Sequence, residues 1–500
     1  MMSSLYNGAS GMRTHSEGMS VVTNNLSNVN TVAYKQQSML FSDLMSEVMA
    51  ARSNGVTNLS QRGMGAAVGA TRTLFTMGGF ESSNEATDVG INGIGFFAVT
   101  HNGQTNYTRA GNFRFTAEGD LVDPSGWNVM GKPIVNGKEG GLEAIKLDLD
   151  SKGGMGYIPP QQTSKLTAIS QLGGLKDESE DTANPFFAMV SNWDGTATKP
   201  LAEGQFSYCE PIQFHDSTGQ LRNAYIYYDL AGTQNGQKAV EYVVAMNPNE
   251  DASSLAGTKA AGLLMAGTMT FSSTGELQNV TAFSPPGSGN PSDLSGWTPA
   301  ALQDGSPAFT ATTNSGSQTI SLNMGLTLSG SSSSGLASAA AAAGNPDAIY
   351  DPNLNATKQA RASTSYGSSA GSLLQQRDGY AEGNLYNVEV TDDGYLRGRY
   401  SNGQTQDLYR IPLYRFTSQD GLRHEGNNHY SASLESGEAQ EGIPGEENFG
   451  TLKGYTLETS NVDYAREFTT MIVTQRGFQM NSKVVTTSDA MLQKALELKR

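Results

Sequence analysis

Each end of this chain carries an apolar ladder at the period of a coiled coil, and almost everything between the ends reads as β-structure. At the front, Leu5, Met12, Met19 and Leu26 fall seven residues apart, supported by Ala9, Val22 and Val29. At the back, Tyr464, Met471, Phe478, Val485 and Leu492 do the same, supported by Phe468, Ile472 and Leu496. An amphipathic helix with such a stripe has to bury it against another helix. The two ends therefore meet each other, meet copies of themselves, or do both. One ladder against one partner buries too little apolar surface to offset the ordering of a long helix. The pattern thus predicts ends that are loose in an isolated subunit and order on assembly. The alternative is a stable antiparallel hairpin inside a monomer.

Composition narrows the function. The 500 residues leave room for about three or four domains. A formal net charge of -16, with 16% charged residues, argues against nucleic acid, which needs a basic face. No acidic block is long enough to be a tail, so the balance reads as a solvated surface. No apolar run approaches the ~18 residues of a membrane span, so no membrane insertion is expected. Residues 1–18 lack a basic segment leading into an apolar one, which argues against a cleaved secretory signal. The single cysteine, Cys209, cannot form an internal disulfide.

Along the chain the expected order is nested. Residues 1–32 form the N-terminal helix of a core domain, ending in the Asn/Ser-rich run after Thr23. Residues 33–76 read as an irregular linker with one apolar cluster, Met39 to Met49, that could be helical. Residues 77–155 and 365–445 are the two parts of an inner β-domain, and 156–364 an outer insert of one or two β-domains. A second linker, 446–460, leads to the C-terminal core helix at 461–500. Ile91 to Val99 reads as a strand pair about a glycine turn, while Asp393-Gly394 and Asn402-Gly403 are hairpin turns. Ser460 with Asp463 resembles a capping box, with Asn461 as the alternative cap. The fold class is therefore multidomain α plus all-β: terminal coiled-coil helices as a core domain, with sandwich- or barrel-like β-domains nested outward.

Chemistry-bearing motifs fail on context. Gly93-Ile94-Gly95-Phe96-Phe97-Ala98 fits a loose dinucleotide pattern, but aromatics and a strand follow where a helix N-terminus is needed. His424 and His429 stand five apart in a Gly/Asn-rich loop, whereas a zinc helix needs four. Asp392-Asp393-Gly394 lacks the remaining ligands of a calcium loop. The five histidines form no spaced constellation, and none neighbours Cys209. No cofactor, metal or enzymatic activity is expected.

Taken together, several segments resemble the bacterial flagellar axial proteins of the rod and hook type. Ser4 to Met12 resembles the family's N-terminal start. Thr23 to Lys35 is similar to its signature, through Asn24, Asn25, Leu26, Asn28, Asn30, Thr31, Tyr34 and Lys35. Ala33 stands where glycine is usual, which fits if that position needs no positive φ. Thr87 to Pro133 resembles the shared β-domain. Asn461, Val462, Asp463 and then Gln475 and Arg476 resemble the C-terminal signature, with Tyr464 and Phe478 as departures. Asp216 to Gly219, Gly379 to Leu385 and Tyr400 to Gly403 are similar to the hook-type members, whose large insert the shorter rod type lacks. The resemblance implies a self-assembling tube that transmits torque, without enzymatic activity. It implies the chain itself as main partner, with the distal rod protein, the hook-filament junction protein, the hook cap protein and the flagellar type III export apparatus. It places the protein in the extracellular flagellum, exported without signal cleavage. Some members cross-link through a cysteine and a lysine, but Glu210 follows Cys209 and no positioned lysine is evident. A distal rod-type protein and a secreted adhesin are the alternatives.

Overall fold

The computed structural model describes residues 2–44, 47–53, 56–135, 137–148, 155–179, 181, 183–329, 336–351, 356–446 and 448–497. Two compact units emerge. One combines the chain ends, 1–157 and 384–500, and the other is the insert 158–383.

In the chain-end unit, the N-terminal helix spans Met2–Ser27 and the C-terminal helix Tyr464–Glu497. The C-terminal helix is capped by Asp463, whose carboxylate accepts the Arg466 N–H at 3.0 Å. Neither expected cap is used. Ser460 accepts only from the Val462 N–H, and Asn461 is engaged elsewhere.

The stretch expected to be irregular or helical is a long β-ribbon. Strand β1 (Gln37–Asp43), β2 (Glu47–Ser53), β3 (Val56–Arg62) and β4 (Ala66–Thr73) pair antiparallel as β1 with β4 and β2 with β3. Its sequence hides this, because no alternating stripe marks a buried face. The N-terminal helix supplies the support: Asn25 donates to the Gln37 carbonyl at 2.8 Å and Thr14 to the Ala66 carbonyl at 3.2 Å.

The rest of the unit is β-structure woven from both chain halves. Hydrogen-bonded order runs Tyr395–Tyr400, Thr405–Arg410, Asn128–Val135, Phe97–His101, Gln104–Thr108, His429–Ser431, Arg423–Gly426. The Asn402-Gly403 turn joins the first two, with the Gly403 N–H donating to the Tyr400 carbonyl at 2.9 Å. Asp393-Gly394 is likewise a turn, with Gly394 at φ +85°. The pairs Val89–Asn92 with Thr451–Gly454 and Phe80–Ser82 with Thr456–Glu458 again join front to back. The expected strand pair within Ile91 to Val99 does not form. Gly93 and Gly95 take φ +120° and +153°, and the first strand pairs with the far end of the chain instead.

Among the described residues the insert holds two larger sheets and a two-stranded pair, Leu326–Leu328 with Ala356–Lys358. One larger sheet contains Tyr208–His215, Leu221–Gln234, Gln237–Met246 and Leu263–Phe271. The other contains Ser306–Thr313, Gly316–Asn323, Lys165–Leu172 and Ala370–Arg377. Ile226, Tyr228 and Val244 pack with Phe309, Ile320 and Leu322 as one core. The opposite face of the first sheet is also covered, by Trp193, Trp297, Ala339 and Ile349. Strand Leu263–Phe271 is therefore buried along its whole length. The strand at Ala370–Arg377 lies in the insert, although the sequence reading placed 365–383 in the inner domain.

Two carboxylates face each other across this buried sheet, Asp229 opposite Glu241. Glu241 accepts the N–H groups of Met189 and Val190 at 3.0 and 3.3 Å; Asp229 accepts that of Ser179 at 2.8 Å. Burial pushes Glu241 up to about 8 and Asp229 up to about 6, above their ordinary values, despite those bonds. A carboxyl whose folded pKa is raised stabilises the fold at low pH and loses that contribution as pH rises through the raised value. The wild-type chain should therefore show an insert melting transition that falls between about pH 4 and about pH 8. Glu241→Gln should flatten the upper part of that slope, measured by calorimetry of the full chain.

Candidate assembly interface

The two terminal helices lie antiparallel. Ser4 pairs with Ser488 (Oγ to Oγ 3.4 Å) and Asn25 with Glu467 (3.3 Å). Between these pairs the glycines set the spacing. A Cβ at Gly8 would lie 2.9 Å from Val485, and one at Gly11 2.7 Å from Asn481. A Cβ at Gly477 would lie 2.6 Å from the His15 ring. The seam is thus small and polar. On the C-terminal helix the buried residues are Glu467, Thr474 and Ser488.

The ladders flank this seam. Leu5, Met12, Met19 and Leu26 are half-buried, each one residue past Ser4, Gly11, Gly18 and Asn25. Phe468, Met471, Val485 and Leu492 are half-buried too, while Tyr464 and Phe478 are exposed. Glycine explains the offset. Where backbones approach closely there is no room for large side chains, so these move to the flanks. The polar residues of the seam carried no periodic apolar signal and were not legible beforehand.

Most signature residues gather where the helices meet the β-structure. Asn25 accepts the Gln37 N–H at 2.9 Å, and Asn24 donates to the Tyr34 hydroxyl at 3.2 Å. Asn28 donates to the Asn24 carbonyl at 2.9 Å and accepts from Thr31 at 3.1 Å. Asn461 accepts the Gln36 N–H at 2.7 Å and donates to the Leu74 carbonyl at 2.8 Å. Val462 is buried, Leu26 half-buried, and Asn30, Gln475 and Arg476 are exposed.

At the centre of this joint lies Glu458, fully buried. It takes Lys35 Nζ at 2.6 Å on one oxygen and Arg109 Nε at 2.9 Å on the other. Arg109 also donates to the carbonyls of Ile91, Gly93 and Gly95. The glycine loop that mimics a dinucleotide motif therefore points carbonyls at a guanidinium. Burial alone would raise the Glu458 carboxyl, but Arg109 and Lys35 outweigh it and hold it below its usual 4.5. Burial, reinforced by Arg109 and opposed by Glu458, lowers Lys35 to about 8, so it remains charged at neutral pH. Ala33 sits beside this site at φ +55°, so the condition under which alanine would fit without strain is not met. The left-handed conformation costs roughly 1–2 kcal/mol, and the Ala33 N–H gains a bond to the Glu458 carbonyl at 2.8 Å.

The other candidates resolve separately. His429 Nε2 lies 2.5 Å from Asp123 in a buried pair, and His424 packs on Tyr430. Among the described residues no group of three His, Cys, Asp or Glu could hold a metal ion. Among them, too, no helix is long and apolar enough to cross a membrane. Cys209 is half-buried in Tyr208–His215, and burial, with Glu210 beside it, pushes its thiol up to about 11.

Over its whole length the chain is 30% identical to the flagellar hook protein FlgE of Treponema pallidum, which is likewise covered completely. The chain belongs to the flagellar hook protein FlgE family. The Borreliella burgdorferi hook protein is 28% identical, with both chains fully covered, and that of Escherichia coli 26% identical over 98% of each. Family descriptions match in order: flagella basal body rod protein at 5–35, flagellar hook protein FlgE/F/G D1 domain at 90–167, flagellar basal body protein FlaE D2 domain at 191–380, and flagellar basal body rod FlgEFG protein C-terminal at 453–498. This hook subunit is a structural protein of a family that self-polymerises in the flagellar basal body, outside the cell. The rod-type and adhesin alternatives are not favoured.

Three outcomes follow for the hook subunit. Glu458→Gln leaves two buried cations without their carboxylate and should cost about 3–5 kcal/mol, seen as an earlier melt of the chain-end unit. In the wild-type chain the same contribution should fade as pH falls below 4.5, because the depressed carboxyl then protonates. Gly11→Val should force the seam apart at Asn481 and lower helicity by circular dichroism, at a cost of about 1–3 kcal/mol.

Proposed function

We propose that the terminal helices become a coiled-coil core only when several copies stack into the hook tube. In the tube they would line an inner channel. The observation that carries this reading is the inverted burial of the C-terminal helix. Its buried positions are Glu467, Thr474 and Ser488, while Ile472, Val473, Met480, Met491 and Leu496 are all more than half exposed. A helix with polar residues inside and large apolar residues outside is not finished in one chain.

The self-assembly residues on this reading are the two ladders, whose flanking positions suit neighbouring copies. The ends gain rigidity from those neighbours, while the joint at Glu458 keeps them registered to the β-structure. The tube acts as a flexible universal joint that bends while it passes torque from rod to filament. Stiff helices shift slightly along one another, and the low-charge surface of the insert makes and breaks weak contacts on each turn. Its neighbours would be the distal rod protein at one end and the hook-filament junction protein at the other, with growth under the cap protein. Delivery would be through the flagellar type III apparatus without signal cleavage.

Electron microscopy of concentrated protein, with and without residues 464–497, tests the core of this. Tubes are expected only from the full chain. Tubes from the truncated chain would remove the C-terminal helix from the assembly interface.

A further inference from the structure

The paired helices leave two different faces uncovered, and they are complementary. On the C-terminal helix, Val473, Met480, Val484 and Met491 fall within about 40° of one another at ~100° per residue. Their exposures are 63%, 66%, 43% and 54%. This ridge lies about 90° from the seam of Glu467, Thr474, Asn481 and Ser488. Phe478 lies about 50° from the seam in the opposite sense. The ridge and Phe478 therefore stand on opposite flanks of the hairpin.

On the Phe478 flank runs a groove of about 650 Å³, lined by Ser16, Met19, Ser20, Thr23, Asn24 and Ser27 of the N-terminal helix and by Phe478. The ribbon covers a different side of that helix, through Thr14 and Asn25. Four of its lining residues are small and carry hydroxyls, and two of those hydroxyls are already used. Ser20 donates to the Ser16 carbonyl at 3.2 Å and Ser27 to the Thr23 carbonyl at 2.9 Å. With these two donors turned back onto their own helix, the groove offers methylene surface at Ser20 and Ser27 beside Met19 and Phe478, edged by the polar groups of Ser16, Thr23 and Asn24. Such a face accepts an apolar ridge at close range. From Leu5 to Ser27 the same side of the helix extends about 33 Å, enough for the ~27 Å from Val473 to Met491.

We propose that the Val473/Met480/Val484/Met491 ridge of one copy docks in the Ser16/Ser20/Thr23/Ser27 groove of the next. The proposal rests on the self-assembly reading and names the two surfaces it uses. A ridge on one flank and a groove on the other cannot satisfy each other in a closed two-fold pair. They can do so only head to tail, and head-to-tail contacts that do not close make an open helical filament.

The test uses the full chain with Cys209→Ser and Met480→Cys, carrying a benzophenone maleimide on the new thiol. Equal parts of isotope-labelled and unlabelled protein are assembled, irradiated and mapped by mass spectrometry. Adducts between differently labelled chains should fall within residues 5–27. Adducts in residues 464–497 would mean ridge-to-ridge pairing, and adducts in 37–73 a ribbon in the groove; either overturns the proposal, as do tubes without intermolecular adducts. If the bulky label blocks assembly, unlabelled Met480→Cys and Ser20→Cys tubes are probed with a small maleimide. Both thiols should lose the reactivity they have in the monomer, and retained reactivity of either overturns the docking. Failure of the unsubstituted chain to form tubes under the same conditions would sink self-assembly itself, a separate outcome.

Discussion

One buried carboxylate holds the two ends of this chain to its β-structure. Glu458 sits between Lys35 and Arg109, each drawn from a different stretch of sequence, and all three side chains are buried. Removing ions from water is costly, so such a cluster persists only if every member keeps its partners. Here they do. Lys35 also reaches the Thr76 carbonyl, Arg109 three loop carbonyls, and Glu458 the Gly78 N–H. The penalty for separating any one strand of this joint is therefore large. That lets helices with little burial of their own remain aimed by the β-structure beneath them.

The helices show the reverse economy. Their mutual seam is built mostly from glycine, serine, threonine, asparagine and a glutamate, with Val485 against Gly8, which permits close approach but buries little apolar surface. Most of the large apolar side chains of the C-terminal helix point elsewhere. In an isolated chain that arrangement leaves apolar surface uncovered; in the proposed polymer it would reserve that burial for the neighbour. A weak internal seam beside strong external faces suits a subunit whose final order comes from its copies.

The seven-residue ladders, the terminal helices and the hairpin at Asn402-Gly403 were legible because each is a local signal, a period or a turn dipeptide whose geometry depends on few neighbours. The flagellar family was legible from motifs at both ends. The ribbon at 37–73 was not, since its strands carry no alternating stripe and owe their form to cross-strand bonds and to the N-terminal helix. The role of Lys35 was hidden too. A lysine in a polar run reads as a solvated charge until Glu458, more than four hundred residues away, is placed beside it.

What the amino-acid order determined alone was the nested plan: helix, β, insert, β, helix, with apolar stripes that demand company. What only the tertiary structure decided was which residues meet. The seam fell on Gly8, Gly11 and Gly477 rather than on the ladders, because backbone proximity, and not side-chain size, sets where two helices can touch most closely. Ala33 takes a left-handed turn, and its N–H donates to the Glu458 carbonyl from the far end of the chain. Periodicity is a property of neighbours in sequence, whereas a shared charge or a close approach belongs to neighbours in space.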